Sequence, residues 1–385
     1  MADPRPGPPP ASRLVFFGFD GHDVTPHAER MVAAGCGGVV LFARNVASPA
    51  QVASLSMRLK RLALKRTPNN RRLLVLIDQE GGRVQRIKSP ATIVPAMRDV
   101  GASNKPPHAA SQVGRVLGTE LRAMGVDVNF APVADVDTNP DNPVIGARAF
   151  SRDSQVVGGA AAAFVRAQQA CGVAAVAKHW PGHGDTSKDT HVGACTVPHS
   201  LKRLSSVEFP PFAKAANAGV AGMLVAHVSC PALKSGDEYA GVRDDGKLPA
   251  TLSRGAVDAL RRISGANERY RGVVFTDDME MGAMVKNYGV ALASAAAVAA
   301  GCDAILMCHG EQRQKDAIDS ITDAAASGVI SEQRMAEAHA NLDALMDRYC
   351  APPPMEAPNA EHVLTIVGSA ENRRIVEALL RDGGK

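Results

Sequence analysis

Residues 73–78, LLVLID, form an unbroken apolar run that ends in an aspartate. An apolar run without alternating polar residues is typical of a strand that is buried on both faces of a parallel sheet. Seven more runs rich in Val, Ile, Leu and Phe predict strands of the same kind: 14–19, 38–42, 126–132, 173–178, 222–227, 272–277 and 303–308. The segments between them, among them 49–65, 109–125 and 289–301, have the apolar spacing and alanine content of helices. Eight strands that alternate with helices predict an α/β fold, a single (β/α)8 TIM-type barrel in which individual elements can be irregular or missing.

A doubly wound sheet is the main alternative for such an alternation. It usually carries a glycine-rich phosphate loop after its first strand, and neither GxGxxG nor GxxxxGK[ST] occurs at a strand end of this sequence. Proline-rich segments then mark the expected domain limits. We predict a disordered arm over residues 1–12, the catalytic barrel over 13–350, and a Pro-rich break with a C-terminal tail over 351–385.

The composition of the 385 residues narrows the class of partner. The formal net charge is only +4, and the 43 basic residues are spread along the chain, which argues against nucleic acid as the main partner. The apolar runs are shorter than the roughly 18 residues that span a bilayer, and the first residues do not have the pattern of a signal peptide. The seven cysteines, an odd number without CxxC spacing, indicate reduced thiols. We therefore expect a soluble, cytoplasmic monomer without a membrane partner.

Polar residues follow several of the predicted strands. The active site of a barrel lies at the carboxyl ends of its strands, so these residues should converge there. They are Asp78, Lys178 with His179, His227, and Asp277 with Asp278. We predict that Asp277 points into the barrel mouth and that Asp278 is its structural partner, although both could cap the next helix.

The loop after the fifth strand is unusually rich in ionisable residues. It reads KHWPGHGDTSKDTH over residues 178–191, with three histidines and two aspartates. Such a loop could ligate a metal, relay a proton or hold a polar ligand, and a solvated connection has a similar composition. The loop by itself does not decide between these roles.

Five stretches together resemble the signature motifs of family 3 glycoside hydrolases, specifically the β-N-acetylglucosaminidases of the NagZ type. They are DQEGGRVQR (78–86), NFAPVADV (129–136), KHWPGHGDTSKDTH (178–191), LPATLS (248–253) and TDDMEMGAM (276–284). The resemblance extends in the same order from about residue 14 to residue 345. It implies a retaining exo-β-N-acetylglucosaminidase that acts in the recycling of peptidoglycan muropeptides and needs neither a metal nor a cofactor.

The resemblance also implies a role for each matched residue. Asp277 would be the nucleophile, and Asp189 with His191 would form the acid/base pair. The N-acetylglucosamine ring would be bound by Asp78, Arg86, Arg148, Lys178 and His179. A histidine would thus replace the second carboxylic acid that retaining glycosidases usually carry, and an aspartate two residues upstream would fix its tautomer. The loop would close over the sugar as a flap, with Gly182 and Gly184 as its hinge.

Two other reactions stay open at the level of sequence. A histidine acid/base repels phosphate less than a carboxylate does, so phosphorolysis of the same substrates competes with hydrolysis. A metal-dependent barrel hydrolase would use His179, His183 and His191 as ligands, but the HxH pair expected on its first strand is absent, since this strand is followed by Asp20-Gly21-His22. A protein that only binds sugar would not need both Asp277 and His191.

Overall fold

Eight parallel strands form a closed barrel in the computed structural model, which describes residues 10–67, 71–187, 195–264, 269–353 and 359–382. Each strand pairs with the next along the chain, and the last pairs with the first. The strands are β1 Val15–Phe17, β2 Gly38–Leu41, β3 Leu74–Ile77, β4 Val128–Asn129, β5 Ala174–Trp180, β6 Gly222–Val225, β7 Val273–Asp278 and β8 Ala304–Met307. The predicted (β/α)8 barrel is confirmed, and each of the eight apolar runs overlaps one of its strands.

Helices cover the outside of the barrel. They are α1 Pro26–Ala33, α2 Pro49–Arg66, α3 Met97–Gly101, α4 Pro106–Ala123, α5 Ser154–Ala170, α6 Leu201–Ser206, α7 Phe209–Asn217, α8 Arg254–Arg261, α9 Gly282–Asn287, α10 Val290–Ala300, α11 Glu311–Ala326, α12 Glu332–Tyr349, α13 Ala360–Ile366 and α14 Ala370–Asp382. The local sequence explains why α2 begins where it does. Ser48 caps the helix through its hydroxyl, and Pro49 occupies the first turn, where no backbone donor is needed. Within the described ranges, no helix is long and apolar enough to cross a membrane.

Short elements in the connecting loops were not predicted from the sequence. The described residues form three pairs of small strands: Gln79–Gly81 with Val84–Gln85, Cys195–Thr196 with Val228–Ser229, and Glu238–Tyr239 with Val242–Arg243. Short 3-10 turns lie at Pro10–Leu14, Ala43–Asn45, Gly146–Arg148, Pro231–Leu233 and Ala250–Leu252. Each strand of these pairs has only two or three residues, too few to produce a period that sequence patterning can detect.

Aromatic rings from different sides of the barrel meet in its interior. The ring of Phe275 contacts Phe16 and Phe130 edge to face, with centroid distances of 5.6 and 5.5 Å. Gly38 leaves room for this cluster, because a Cβ atom there would lie 2.6 Å from the Phe16 ring and 2.7 Å from Leu76. The barrel is therefore a packed core, as small parallel barrels require, and only its mouth is available for a ligand.

The segment after the second Pro-rich stretch folds back onto the barrel helices. Val363 and Val367 of α13 and its following turn join the main apolar core, and Val376 of α14 joins a second cluster around α4 and α5. Glu120 of α4 accepts hydrogen bonds from the Gly368 backbone N–H at 2.9 Å and from Asn372 Nδ2 at 3.0 Å. The C-terminal helices are thus held by apolar packing and by a buried carboxylate.

Candidate active site

A pocket of about 550 Å³ opens at the carboxyl end of the barrel strands. Its walls include the six described residues for which the sequence predicted nucleophile or sugar-binding roles: Asp78, Arg86, Arg148, Lys178, His179 and Asp277. The other polar side chains on its walls are Glu80, His183, Asp278, Glu280 and His309. The predicted acid/base pair, Asp189 and His191, lies outside the described residues. The barrel topology thus brings together residues that are up to about 200 positions apart in the sequence.

Lys178 lies at the centre of the charged wall. It is the fifth residue of β5, and its ammonium group is 2.6 Å from Asp78 Oδ1 and 2.7 Å from Glu80 Oε1. The other oxygen of Asp78 is 3.3 Å from Arg86 Nη2. Lys178 is almost fully buried, so its charge needs both carboxylates. Lys178 in turn holds the carboxylates of Asp78 and Glu80 in fixed positions on the pocket wall.

Arg148 and Glu80 form a bidentate ion pair on the same wall. The Nε and Nη2 groups of Arg148 donate to the two oxygens of Glu80 at 2.8 and 2.7 Å. Burial by itself would raise the pKa of Glu80, but the charges of Arg148 and Lys178 outweigh it and hold that pKa well below its ordinary value. Burial tends to lower the pKa of Arg148, but the charge of Glu80 outweighs burial and raises that pKa above its ordinary value. Both groups are therefore charged across the physiological range.

His179 is held from behind by Asp135. The imidazole Nδ1 is 2.7 Å from Asp135 Oδ2, and its Nε2 is 3.3 Å from Arg148 Nη2. The other carboxylate oxygen of Asp135 accepts the backbone N–H of His183 at 2.6 Å. Burial opposes ionisation of Asp135, but His179 and His183 outweigh this effect and lower its pKa. Asp135 is therefore an anion beneath the pocket.

Asp277 is next to the last residue of β7, and its carboxylate faces the barrel mouth. Its Oδ1 accepts the backbone N–H of Asp278 at 2.9 Å. Burial tends to raise the pKa of Asp277, but His227, His179 and Lys178 outweigh burial and lower it. The result is an ionised carboxylate on the pocket wall, the state in which a carboxyl group acts as a nucleophile.

Asp278 and His227 support this strand end from the other side. Asp278 Oδ1 accepts the backbone N–H groups of Glu280 and Cys308 at 3.1 and 3.2 Å. His227 is buried, with Nδ1 2.7 Å from Thr251 Oγ1 and Nε2 2.9 Å from the Asp278 carbonyl oxygen. Both side chains thus bind the backbone around Asp277, which suits a structural role for Asp278.

The root of the loop after β5 is anchored to the loop after β4. Asn142 Nδ2 donates to the His183 carbonyl at 2.8 Å, and Thr138 Oγ1 donates to Asp185 Oδ1 at 2.8 Å. Gly182 has φ of +119°, which favours glycine. A Cβ atom on Gly184 would lie 1.8 Å from the Val136 carbonyl oxygen. Residues 182–187 are therefore a fixed base from which residues 188–191 continue.

The two described histidines of this loop already have protein partners. His179 binds Asp135 through Nδ1, and His183 Nδ1 is 2.6 Å from Thr186 Oγ1. In the part of the chain that the structure covers, no group of three or more His, Cys, Asp or Glu side chains could hold a metal ion. The arrangement provides a nucleophile and a set of polar hydrogen-bonding groups.

Residues 20–345 match the glycosyl hydrolase family 3 N-terminal domain. The chain belongs to glycoside hydrolase family 3. A β-hexosaminidase of Nitrosomonas eutropha is 38% identical to this family 3 enzyme over 291 residues, 74% of this chain and 77% of the relative. The predicted class of enzyme, a glycoside hydrolase of the β-hexosaminidase group, is confirmed.

Solved structures of other family 3 enzymes have the same fold. A β-N-acetylglucosaminidase from Paenibacillus sp. superimposes with a TM-score of 0.86 at 38% identity, over 96% of this chain and 67% of that one. NagZ from Neisseria gonorrhoeae superimposes with a TM-score of 0.73 at 27% identity, over 99% of this chain and 100% of that one. The likeness thus extends beyond residues 20–345 to nearly the whole chain.

Sequence reasoning missed two acidic residues of this family 3 site. Glu80 lies within DQEGGRVQR and Asp135 within NFAPVADV, but neither received a role. Both are almost completely buried, and both neutralise or orient residues that reach them from other strands. Their position directly after β3 and β4, where barrel chemistry gathers, was the signal that could have found them.

Proposed function

We propose that this family 3 enzyme is a retaining exo-β-N-acetylglucosaminidase, which hydrolyses terminal, non-reducing, β-linked N-acetylglucosamine. The proposal draws its substrate from the β-hexosaminidases and β-N-acetylglucosaminidases that the chain resembles. The observation that carries it is the position of Asp277, an ionised carboxylate on the wall of a pocket that also contains Asp78, Lys178 and the other charged side chains described above.

The sugar ring is bound by the charged wall of the pocket at the carboxyl ends of the barrel strands. Asp78 accepts hydrogen bonds from sugar hydroxyls, and Arg86, Arg148, Lys178 and His179 complete the hydrogen-bonding surface. Because Lys178 and Arg86 already orient Asp78, little rearrangement is needed on binding. A neutral sugar adds no charge to the ion pairs of this wall.

Cleavage proceeds by two displacements at the anomeric carbon. A carboxylate oxygen of Asp277 forms a bond to C1 while the C1–O bond to the leaving group breaks. His191 donates a proton to the departing oxygen, and Asp189 stabilises the imidazolium form that gives it. The products of this step are a glycosyl ester on Asp277 and the free aglycone alcohol.

Water completes the cycle. His191, now neutral, accepts a proton from the water as its oxygen attacks C1, and the bond to Asp277 breaks with return of its electron pair. Two inversions give a product with the original β configuration. N-acetylglucosamine then leaves, and the enzyme has its starting protonation state.

A comparison of two aryl substrates tests the proposed activity. The full chain should hydrolyse the nitrophenyl β-glycoside of N-acetylglucosamine and act far more slowly on that of glucose. Proton NMR of the first product should show the β anomer before mutarotation. A preference for the glucoside, or an α product, would contradict the proposed function.

Mechanism-based labelling tests the role of Asp277. An activated 5-fluoro derivative of N-acetylglucosamine should accumulate as an ester on the peptide that contains TDDMEM, with the modification at Asp277. Asp277→Ala should lower kcat by several orders of magnitude because no covalent intermediate can form, whereas Asp278→Asn should act mainly through stability. Labelling of another residue would remove the nucleophile from this position.

The natural substrate that we propose is a muropeptide from peptidoglycan recycling, which a monomeric enzyme cleaves in the cytoplasm. No disulfide bond joins cysteines of the described residues, as a reducing compartment favours. Turnover of this substrate should be independent of added phosphate and should yield free N-acetylglucosamine. Formation of N-acetylglucosamine 1-phosphate would instead make the enzyme a phosphorylase.

A further inference from the structure

Asp135 has no part in the chemistry described above, yet three N–H groups converge on it. Its Oδ2 accepts the ring Nδ1–H of His179 at 2.7 Å and the backbone N–H of the same residue at 3.2 Å. Its Oδ1 accepts the backbone N–H of His183 at 2.6 Å. We propose that Asp135 is a positioning residue, which fixes the tautomer of His179 and so sets which atom that ring offers to the sugar.

The hydrogen-bond partners determine where the ring proton lies. Asp135 is ionised and can only accept, so the Nδ1 of His179 donates. The guanidinium of Arg148 can only donate, and its Nη2 is 3.3 Å from His179 Nε2, so Nε2 accepts. The ring that satisfies both contacts carries its proton on Nδ1 and directs a lone pair from Nε2.

The position of Arg148 is fixed independently of His179. Glu80 binds its Nε and Nη2, and the Val144 carbonyl accepts from its Nη1 at 3.1 Å. Arg148 thus cannot turn away if the proton of His179 moves to Nε2, because its guanidinium would face another donor. In the wild-type protein the pocket consequently tolerates only one tautomer, in which Nε2 directs its lone pair towards Arg148 and shares it with a hydroxyl or amide N–H of the bound sugar.

The same carboxylate also holds the root of the loop after β5. His183 follows Gly182 in this fixed root, and its backbone N–H donates to Asp135. One anion therefore links a sugar contact to the loop that carries the proposed acid/base pair. This link to sugar binding depends on the function proposed above, whereas the tautomer of His179 does not.

Asp135→Asn tests the inference with minimal change of shape. An amide has one acceptor oxygen and one donor group, so it cannot satisfy donors on both sides. With its oxygen towards His179, the amide leaves the backbone N–H of His183 without its acceptor. With its oxygen towards His183, the amide faces two N–H groups of His179, and the imidazole must move its proton to Nε2. In either orientation Nδ1 loses its charged acceptor, so we expect the strong Nδ1–H hydrogen bond of the wild type to be lost.

Asp137→Asn is the matched control. Asp137 is buried two residues further along the same loop, and it pairs with Arg98 and Arg152 instead of a histidine. The same substitution there removes a buried negative charge and costs stability without touching the His179 ring. A comparison of the two variants therefore separates the tautomer from general destabilisation.

Long-range ¹H–¹⁵N correlation of the full chain, labelled in histidine, measures the tautomer directly. The signals that are absent from the spectrum of the His179→Gln variant identify His179 among the 11 histidines. Near neutral pH, the wild type and Asp137→Asn should show an unprotonated Nε2 and a strongly downfield proton on Nδ1, and Asp135→Asn should lose this downfield Nδ1 proton signal. A wild-type proton on Nε2, or an Asp135→Asn spectrum like that of the wild type, would overturn the inference.

Kinetics on the aryl N-acetylglucosaminide measure the consequence. Asp135→Asn should raise KM by roughly 10- to 100-fold, the effect of one lost hydrogen bond in a buried site, with a smaller change in kcat. Asp137→Asn should change KM little, although its melting temperature should be similar to that of Asp135→Asn. Equal KM values for the two variants would remove Asp135 from substrate positioning. If the wild type hydrolyses no N-acetylglucosaminide, the proposed function fails, while the NMR result still decides the tautomer.

Discussion

Glu80 illustrates how much a single buried ionised residue contributes to the stability of the pocket wall. It binds Arg148 through both oxygens and also binds Lys178, and it is almost fully excluded from solvent. Removal of one partner from such a group leaves uncompensated charge in a medium of low polarity. The pocket wall therefore depends on Glu80 although the proposed reaction does not use it.

We predict that Glu80→Gln lowers the free energy of unfolding by about 3–5 kcal/mol. Glu311→Gln is a matched control, because Glu311 also binds one arginine and one lysine, Arg30 and Lys315, but at the surface. There the change should have little effect, since surface ion pairs contribute about 0–1 kcal/mol. Urea denaturation measures both. Similar losses in the two variants would mean that burial does not determine the contribution of Glu80.

The strand-end acids were predictable from sequence, and their partners were not. Asp78 and Asp277 end apolar runs, and a parallel barrel necessarily brings such positions together. Arg86 and Arg148 came only from the resemblance to a known family. Asp135 was missed because its role depends on a ring that approaches from the next strand, and a one-dimensional pattern does not contain that contact.

At the scale of elements, the loop after β5 requires close contact with the loop after β4. Gly184→Ala would place a methyl group within 1.8 Å of the Val136 carbonyl oxygen, a backbone atom that cannot move aside. We predict a large loss of kcat/KM because the loop root must shift and carry residues 188–191 with it. Gly159→Ala in α5 is the control, since its Cβ would meet nothing closer than 3.5 Å. Wild-type kcat/KM in Gly184→Ala would contradict the fixed root.

The proposed acid/base role of His191 makes a separate prediction for the same loop. His191→Ala should slow cleavage of a disaccharide by roughly 10²–10⁴-fold, but it should slow glycosyl-enzyme formation from a nitrophenyl glycoside much less. A nitrophenolate leaves readily as an anion, whereas a sugar alkoxide needs the proton. Pre-steady-state and steady-state rates on the two substrates measure the difference. Equal losses on both would show that His191 only binds the substrate.

At the scale of the whole molecule, the ionised site makes stability depend on pH. Glu80, Asp135 and Asp277 have lowered pKa values in the folded protein, from ordinary values of 4.5, 3.8 and 3.8. The unfolded chain therefore binds more protons in acid, and their contribution is present above about pH 4.5 and lost as the pH falls further. Burial raises the pKa of Asp127 and of Glu208, so the contribution of these two groups to the free energy of unfolding increases as the pH falls.

We predict that the free energy of unfolding falls as the pH is lowered from about 5 to about 3, and that Glu80→Gln shows a shallower fall. Trp180 is a suitable reporter, because its ring is fully buried and stacks on Phe209 of α7 at 4.5 Å. Urea titrations followed by its emission give the slopes. The same slope in Glu80→Gln and in the wild type would exclude Glu80 as a source of the acid sensitivity.

The C-terminal helices were the least predictable part of the fold. The Pro-rich stretch at 351–358 marked a boundary in sequence, and the sequence analysis treated the residues after it as a tail. Their apolar side chains are too few to reveal a core by themselves, and they acquire one only against α2 and α4. Tertiary packing thus decided what local composition could not.

The carboxylate of Glu120 connects these helices to the loop that carries Arg86. It accepts from Gly368 and Asn372 on one side and from the backbone and hydroxyl of Thr92 on the other. The Thr92 carbonyl in turn accepts from Gln85, the neighbour of Arg86. Gly368 and Asn372 are therefore synthesised, and can bind Glu120, only after all five sequence motifs have been translated. A chain that stops at residue 345, where the family match ends, would contain the complete set of motifs and would lack two of the four donors that hold Glu120 beside the loop.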